Sequence, residues 1–199
     1  MKKYIVCVML MFATMVFAQA SSLADQQTGP ASFRVSSTTF RNGGTLPLSM
    51  ILGASECPYV SGGGDQSPEV SWQNAPRGTR SFVVTLFDTT AAFTHWGMYN
   101  ISPEASALPE NAGVAGSTYG EQVFNDFYYG AQYDGPCPPN NYTPYVHDYV
   151  ITVYALDTNL HLASAAPNFP ANGETLYRAM FGHILQSASI QGYFSTASN

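Results

Sequence analysis

SFVVTLFD at residues 81–88, HWGMYNI at residues 95–101 and YVITVYAL at residues 149–156 are short runs of β-branched and aromatic residues. Such runs form strands. The first is apolar at odd and even positions alike, which predicts a strand covered on both faces and therefore central. Weaker strand patterns precede it at residues 33–37 (FRVSS), 46–52 and 70–72 (VSW). Residues 102–117 and 127–142 are rich in Pro, Gly or aromatics and read as loops, and Gly62, Gly63 and Gly64 form a turn. Near the C-terminus Leu176, Met180, Phe181, Ile184 and Leu185 recur at helical spacing between Gly173 and Gly192. That spacing predicts one amphipathic helix over residues 174–189. Several strands followed by a late helix predict a mainly β fold with a helical flank.

Composition agrees. Of 199 residues 45% are hydrophobic, 14% are aromatic and only 10% are charged, against a usual charged share of about a quarter. The 17 Gly and 13 Pro supply frequent turns. The first twenty residues stand apart. Lys2 and Lys3 precede an apolar run over residues 4–17, broken by Thr14 alone, and Ala18-Gln19-Ala20 follows. This is the pattern of a secretory signal peptide, 1–20, with a run shorter than the ~20 residues a bilayer needs. Residues 21–32 read as a flexible polar segment and 33–199 as one domain. A bacterial protein, periplasmic or secreted, is expected, with no transmembrane segment after cleavage.

Removal of the leader leaves five arginines against thirteen acids, a formal charge of −8. The arginines are scattered, so a basic footprint for nucleic acid is excluded. Cys7 leaves with the leader, and Cys57 and Cys137 remain. In an oxidising compartment an even pair suggests one disulfide; the alternative is two buried thiols.

The chain has no G-x-S-x-G elbow, H-E-x-x-H, P-loop or C-x-x-C. The polar residues of interest sit at strand ends. Asp88 closes the first strong strand, His95 opens the second, and His147 lies two residues before Tyr149 at the start of the third. Alternation places His147 and Tyr149 on one face and Asp148 on the other. If the three strands are neighbours, Asp88, His95, His147 and Tyr149 converge on one rim. Two imidazoles and a phenol offer donors to a phosphate or carboxylate, and the carboxylate orients a histidine or meets an ammonium. Asp88, His95 and His147 also satisfy the chemistry of a two-histidine, one-carboxylate metal site. Tyr149 and the nearby prolines fit an anion pocket better, and no metal or cofactor is expected. His161 and His183 read as ordinary surface residues.

These pieces resemble the phosphatidylethanolamine-binding protein (PEBP) family, in its bacterial branch of Raf kinase inhibitor-like (YbhB/YbcL) proteins. The matching segments are residues 67–72 (SPEVSW), 76–88 (PRGTRSFVVTLFD), 95–101, 135–139 (GPCPP), 147–157 (HDYVITVYALD) and 182–193 (GHILQSASIQGY), in family order. The resemblance implies a large antiparallel sheet packed on a smaller one, with a helix near the C-terminus. It also implies a pocket for phosphate, acetate or a phospholipid head group, lined by Asp88, His95, His147 and Tyr149, with Gly135 and Pro136 in the loop wall. Departures are local. Where the family has D-P-D-x-P, residues 88–92 read DTTAA, so Thr90 replaces the second Asp. Asp148 stands where the family usually has Arg. One acid fewer favours an anion over an ethanolamine ammonium. The expected function is binding of a small anionic or zwitterionic ligand. A protein-interaction role, as protease inhibitor or host-directed modulator, is the alternative. A hydrolase lacks an evident nucleophile, so an enzyme is not expected.

Overall fold

The computed structural model describes residues 31–163 and 170–197. The expected leader, 1–20, and residues 21–30 lie outside the described residues. The described residues from Ser32 onward form one compact unit. In chain order its elements are β1 (Arg34–Ser36), β2 (Gly44–Thr45), a 3-10 turn (Leu48–Met50), β3 (Val70–Gln73), β4 (Ser81–Asp88), β5 (Phe93–Ile101), β6 (Ala107–Leu108), β7 (Glu121–Gln122), β8 (His147–Leu156), α1 (Gly173–Met180) and β9 (Ile184–Phe194).

Two sheets result. The larger runs β2-β9-β8-β4-β5-β7 and the smaller β1-β3-β6. All pairings are antiparallel except the short β2–β9 contact. β4 is central, and seven of its eight residues are buried. Its even positions Phe82, Val84 and Leu86 join a core that reaches Trp72 and Phe33 of the small-sheet side, with the Trp72 and Phe82 rings 5.0 Å apart. Each such side chain, fully buried, contributes roughly 2–3 kcal/mol of hydrophobic free energy. Val83 points the other way, toward Leu176 and Met180 of α1.

α1 begins at a reciprocal capping box. Asn172 Oδ1 accepts from the Thr175 N–H, and the Thr175 hydroxyl accepts from the Asn172 N–H. Leu176 and Met180, one turn apart, are its fully buried side chains. Gly97 of β5 makes room for Leu176 and for Val123: a Cβ there would sit 2.9 Å from Leu176 Cδ2 and 2.7 Å from Val123 Cγ2.

Two expectations are corrected. The strand expected at residues 46–52 is a 3-10 turn, Leu48–Met50, with strand pairing only at Gly44–Thr45. The helix expected over residues 174–189 ends at Met180, and most of its second half is the start of β9. Gly182, at φ +85°, makes the break, and the His183 N–H closes the turn on the Met180 carbonyl. β9 then pairs with β8 from Ile184 to Phe194. Leu185, Gln186 and Ala188 have helical propensity, but a ladder of that length against a central strand overrides it.

Candidate functional site

The site is assembled at one end of the large sheet. Asp88, last in β4, is the register partner of Tyr149 in β8, so their side chains share a face. His147, two residues earlier on β8, shares it too. β5 contributes through an irregularity. Phe87 pairs with Thr94 and Leu86 with Trp96, leaving His95 as the extra residue of a bulge. The bulge lets His95 and Trp96, adjacent in sequence, both turn inward, where they are 3% and 0% exposed.

Asp88, His95, His147 and Tyr149 line a cavity of about 160 Å³ together with Ala91, Phe93, Phe127 and the segment Cys137, Pro138 and Pro139. Asp88, His147 and Tyr149 are 3%, 7% and 1% exposed. The His147 Nδ1–H donates to Asp88 Oδ2 at 2.6 Å. Asp88 Oδ1 accepts from the N–H groups of Thr90 (2.8 Å) and Ala91 (3.0 Å). The His95 Nδ1 lies 2.9 Å from the Asp134 carbonyl. A carbonyl only accepts, so Nδ1 carries the proton and Nε2 is the free nitrogen of the neutral ring. The Tyr149 ring stands between the two imidazoles, 5.5 Å from His95 and 6.3 Å from His147. Its hydroxyl is buried without a hydrogen-bond partner.

Burial holds the His95 pKa below the usual imidazole value; the Asp134 carbonyl and the Asp88 and Asp126 carboxylates oppose it without overcoming it. Burial, then the Asp88 charge, pushes the Tyr149 phenol well above its usual range, so it stays protonated. Asp88 influences that hydroxyl electrostatically, but the two do not meet in a well-formed hydrogen bond.

The wall opposite the strands is tied twice. His95 and Asp134 exchange bonds, the Asp134 N–H donating to the His95 carbonyl at 3.2 Å. Cys137, which lines the cavity, is disulfide-bonded to Cys57 across 80 residues. Gly135 and Pro136 stand behind this wall rather than among the residues lining the cavity. The Gly135 N–H donates to Asp65 Oδ1 at 2.7 Å, and the Pro136 carbonyl accepts from Leu52. A Cβ on Gly135 would lie 2.1 Å from the Met50 carbonyl oxygen, so only glycine fits. Burial raises the Asp65 pKa to about 6; the Gly135 N–H lowers it, and Asp134 and Glu56 raise it further.

Thr90 lies outside the cavity: it is exposed, and its hydroxyl accepts from the Asp148 N–H at 3.0 Å. Reading the sequence missed the aromatic side of the site. Phe93 and Phe127 flank His95 at 4.9 and 5.5 Å, and Phe127 stacks on exposed Tyr129 at 5.3 Å. The aromatic density of residues 127–129 was the available clue. Among the described residues no group of three His, Cys, Asp or Glu side chains is arranged to hold a metal. Both Asp88 oxygens are already engaged by His147 and the two N–H groups. No helix there is long and apolar enough to cross a membrane.

Comparison with known proteins adds an independent line. A family model described as phosphatidylethanolamine-binding protein matches residues 36–195. A UPF0098 protein of Methanothermobacter thermautotrophicus is 35% identical over 141 residues, covering 68% of this chain and 87% of that protein. YbcL of Escherichia coli K12 is 35% identical over 136 residues, covering 64% and 70%. The crystal structure of E. coli YbcL, described as a new member of the mammalian PEBP family, superposes with a TM-score of 0.70 at 29% identity, covering 83% of this chain and 99% of that one.

Proposed function

Because the chain belongs to the phosphatidylethanolamine-binding protein family, we propose that it binds a small anionic or zwitterionic ligand, a phosphate or phospholipid head group, between Tyr149, His95 and His147. The observation that carries this reading is the buried Tyr149 hydroxyl, without a partner, beside two imidazoles. A buried donor left unmade costs roughly 1–3 kcal/mol, which a ligand oxygen recovers. At ~30 Å³ per water, a cavity of about 160 Å³ holds about five waters, room enough for a head group. The lining has no Ser, Thr, Lys or free Cys side chain to act as an activated nucleophile, which supports binding without turnover. The leader pattern and the Cys57–Cys137 bond support a periplasmic or secreted bacterial protein.

The test is an NMR titration of the mature protein with phosphate, acetate and phosphoethanolamine, with His147→Ala as control. Imidazole signals of His95 and His147 should move on ligand addition. Affinity should rise on acidification, because an anion favours the charged form that burial disfavours in His95. No movement at millimolar ligand overturns the reading.

A second reading has its own observation. Tyr142, Tyr145 and Val146, just before His147, are 67%, 44% and 55% exposed, a surface suited to a protein partner such as a protease or a host-cell protein. Replacing these three by Ser should abolish such an interaction and leave phosphate binding intact.

A further inference from the structure

The hydrogen-bonding capacity of the cavity is narrower than a generic anion site requires. Asp88 already accepts from His147 on one oxygen and from the Thr90 and Ala91 N–H groups on the other. The Nδ1–H of His95 is spent on the Asp134 carbonyl, and that of His147 on Asp88. In the neutral state each ring therefore presents only Nε2, a bare acceptor. No Lys or Arg lines the cavity, and Pro138 and Pro139 have no N–H to give. Among the side chains of the lining, the unspent donor is the Tyr149 hydroxyl. A proton-free oxyanion would set its lone pairs against the lone pair of His95. The groups facing that ring, namely Tyr149, Phe93, Phe127, the Asp134 and Gly135 main chain, and the Asp88 and Asp126 carboxylates, include no lysine or arginine.

We infer that the cavity selects hydrogen phosphate, an oxyanion that brings a hydrogen-bond donor of its own, over oxyanions that carry no proton, such as sulfate. The inference rests on the anion-pocket reading and narrows it to a ligand class. A P–O–H donates to His95 Nε2 while another phosphate oxygen accepts from Tyr149. Sulfate, of similar size and charge, offers only acceptors. To bind, it must first have a proton placed on an imidazole, whereas hydrogen phosphate arrives already protonated. Selection of this kind, by an acceptor that one of two near-isosteres leaves unpaired, separates them far better than a difference in shape.

The experiment is calorimetric titration of the mature protein with sodium phosphate and sodium sulfate at about pH 8 and about pH 5.5, each in two buffers of different ionisation enthalpy, so that protons taken up per ion bound are counted. At about pH 8 phosphate should bind about 10- to 100-fold more tightly than sulfate. Sulfate should bind only with net uptake of a proton, and its affinity should rise more steeply on acidification. His95→Gln, with folding verified by its amide spectrum, places an amide that can also donate where Nε2 stood, and should bring sulfate within a few-fold of phosphate. Equal affinity of the two ions for the wild-type protein at about pH 8, with equal proton uptake, overturns the inference and leaves the anion pocket standing. An unchanged preference in folded His95→Gln overturns the assignment to His95. If neither ion binds at either pH, the anion pocket itself is wrong, and the inference goes with it.

Discussion

The two ends of β8 carry the same chemical pair in different surroundings. At its start His147 meets Asp88 at 2.6 Å, with side chains 9% and 4% exposed; beyond its end Asp157 meets His183 at 2.8 Å, both 47% exposed. At the exposed end water solvates both partners whether or not they touch, so the pair has little influence on fold or chemistry. At the buried end the partners have no substitute for each other. The carboxylate needs the imidazole and two backbone N–H groups, and the geometry that results leaves a phenol and a second imidazole facing a cavity. Burial, not the identity of the pair, makes one end a site.

That contrast can be broken or sharpened in graded steps. The largest effect should follow Cys57→Ser with Cys137→Ser, which frees the cavity wall at the buried end alone. Releasing a loop closed across 80 residues should cost about 4–5 kcal/mol in urea denaturation. His147→Ala comes next. It strands Asp88 at 3% exposure and should cost roughly 3–5 kcal/mol, together with ligand binding. Tyr149→Phe removes a buried hydroxyl that has no partner. The unliganded protein should keep or gain up to about 1 kcal/mol, while phosphate affinity falls about tenfold; a loss of apo stability would show that the hydroxyl is satisfied after all. Asp65→Asn acts behind the wall. The folded-state pKa of Asp65 is raised above its ordinary value, to about 6, so the folded protein binds the extra proton. Wild-type stability should therefore fall as pH rises from about 4 through about 6, then level off. Since Asp65 is only half-buried, screening should hold the effect to about 1 kcal/mol or less. The Asn variant should lack that slope in thermal melts across the range. The smallest effect should come from His183→Ala at the exposed end, within about 0.5 kcal/mol of wild type.

The strong strands were legible because β4, β5 and β8 are continuous runs with both faces committed, and the rim residues because period-two alternation carries across a register. Asp88 opposite Tyr149 needs no more than that. His95 is a partial exception. Its place at the end of a strand was readable, but its inward turn depends on a bulge, and a bulge is a property of two strands together. β9 was not legible. Residues 184–190 read ILQSASI, with Ile184 and Leu185 continuing the helical spacing of Leu176, Met180 and Phe181 and no turn signal except Gly182. What makes it a strand is the edge of β8, a partner 28 or more residues away for every pair in the ladder. The lining of Phe93, Phe127, Pro138 and Pro139 was invisible for the same reason, since loops are brought to a cavity by ties such as Asp134 to His95 and Cys137 to Cys57. Thr90, the most conspicuous departure from the family pattern, proved to concern the turn more than the pocket, because its hydroxyl is held by the Asp148 N–H.

The doubly tied wall also has a consequence for how fast a ligand settles. A loop that must close over its guest adds a conformational step to association and loses entropy as it orders. Here the ordering around residues 134–139 is already bought, by a covalent bond on one side and a reciprocal pair of hydrogen bonds on the other. Entry should then be a single encounter, with a rate linear in ligand concentration and no plateau, and differences in affinity between ligands should lie in how long each one stays.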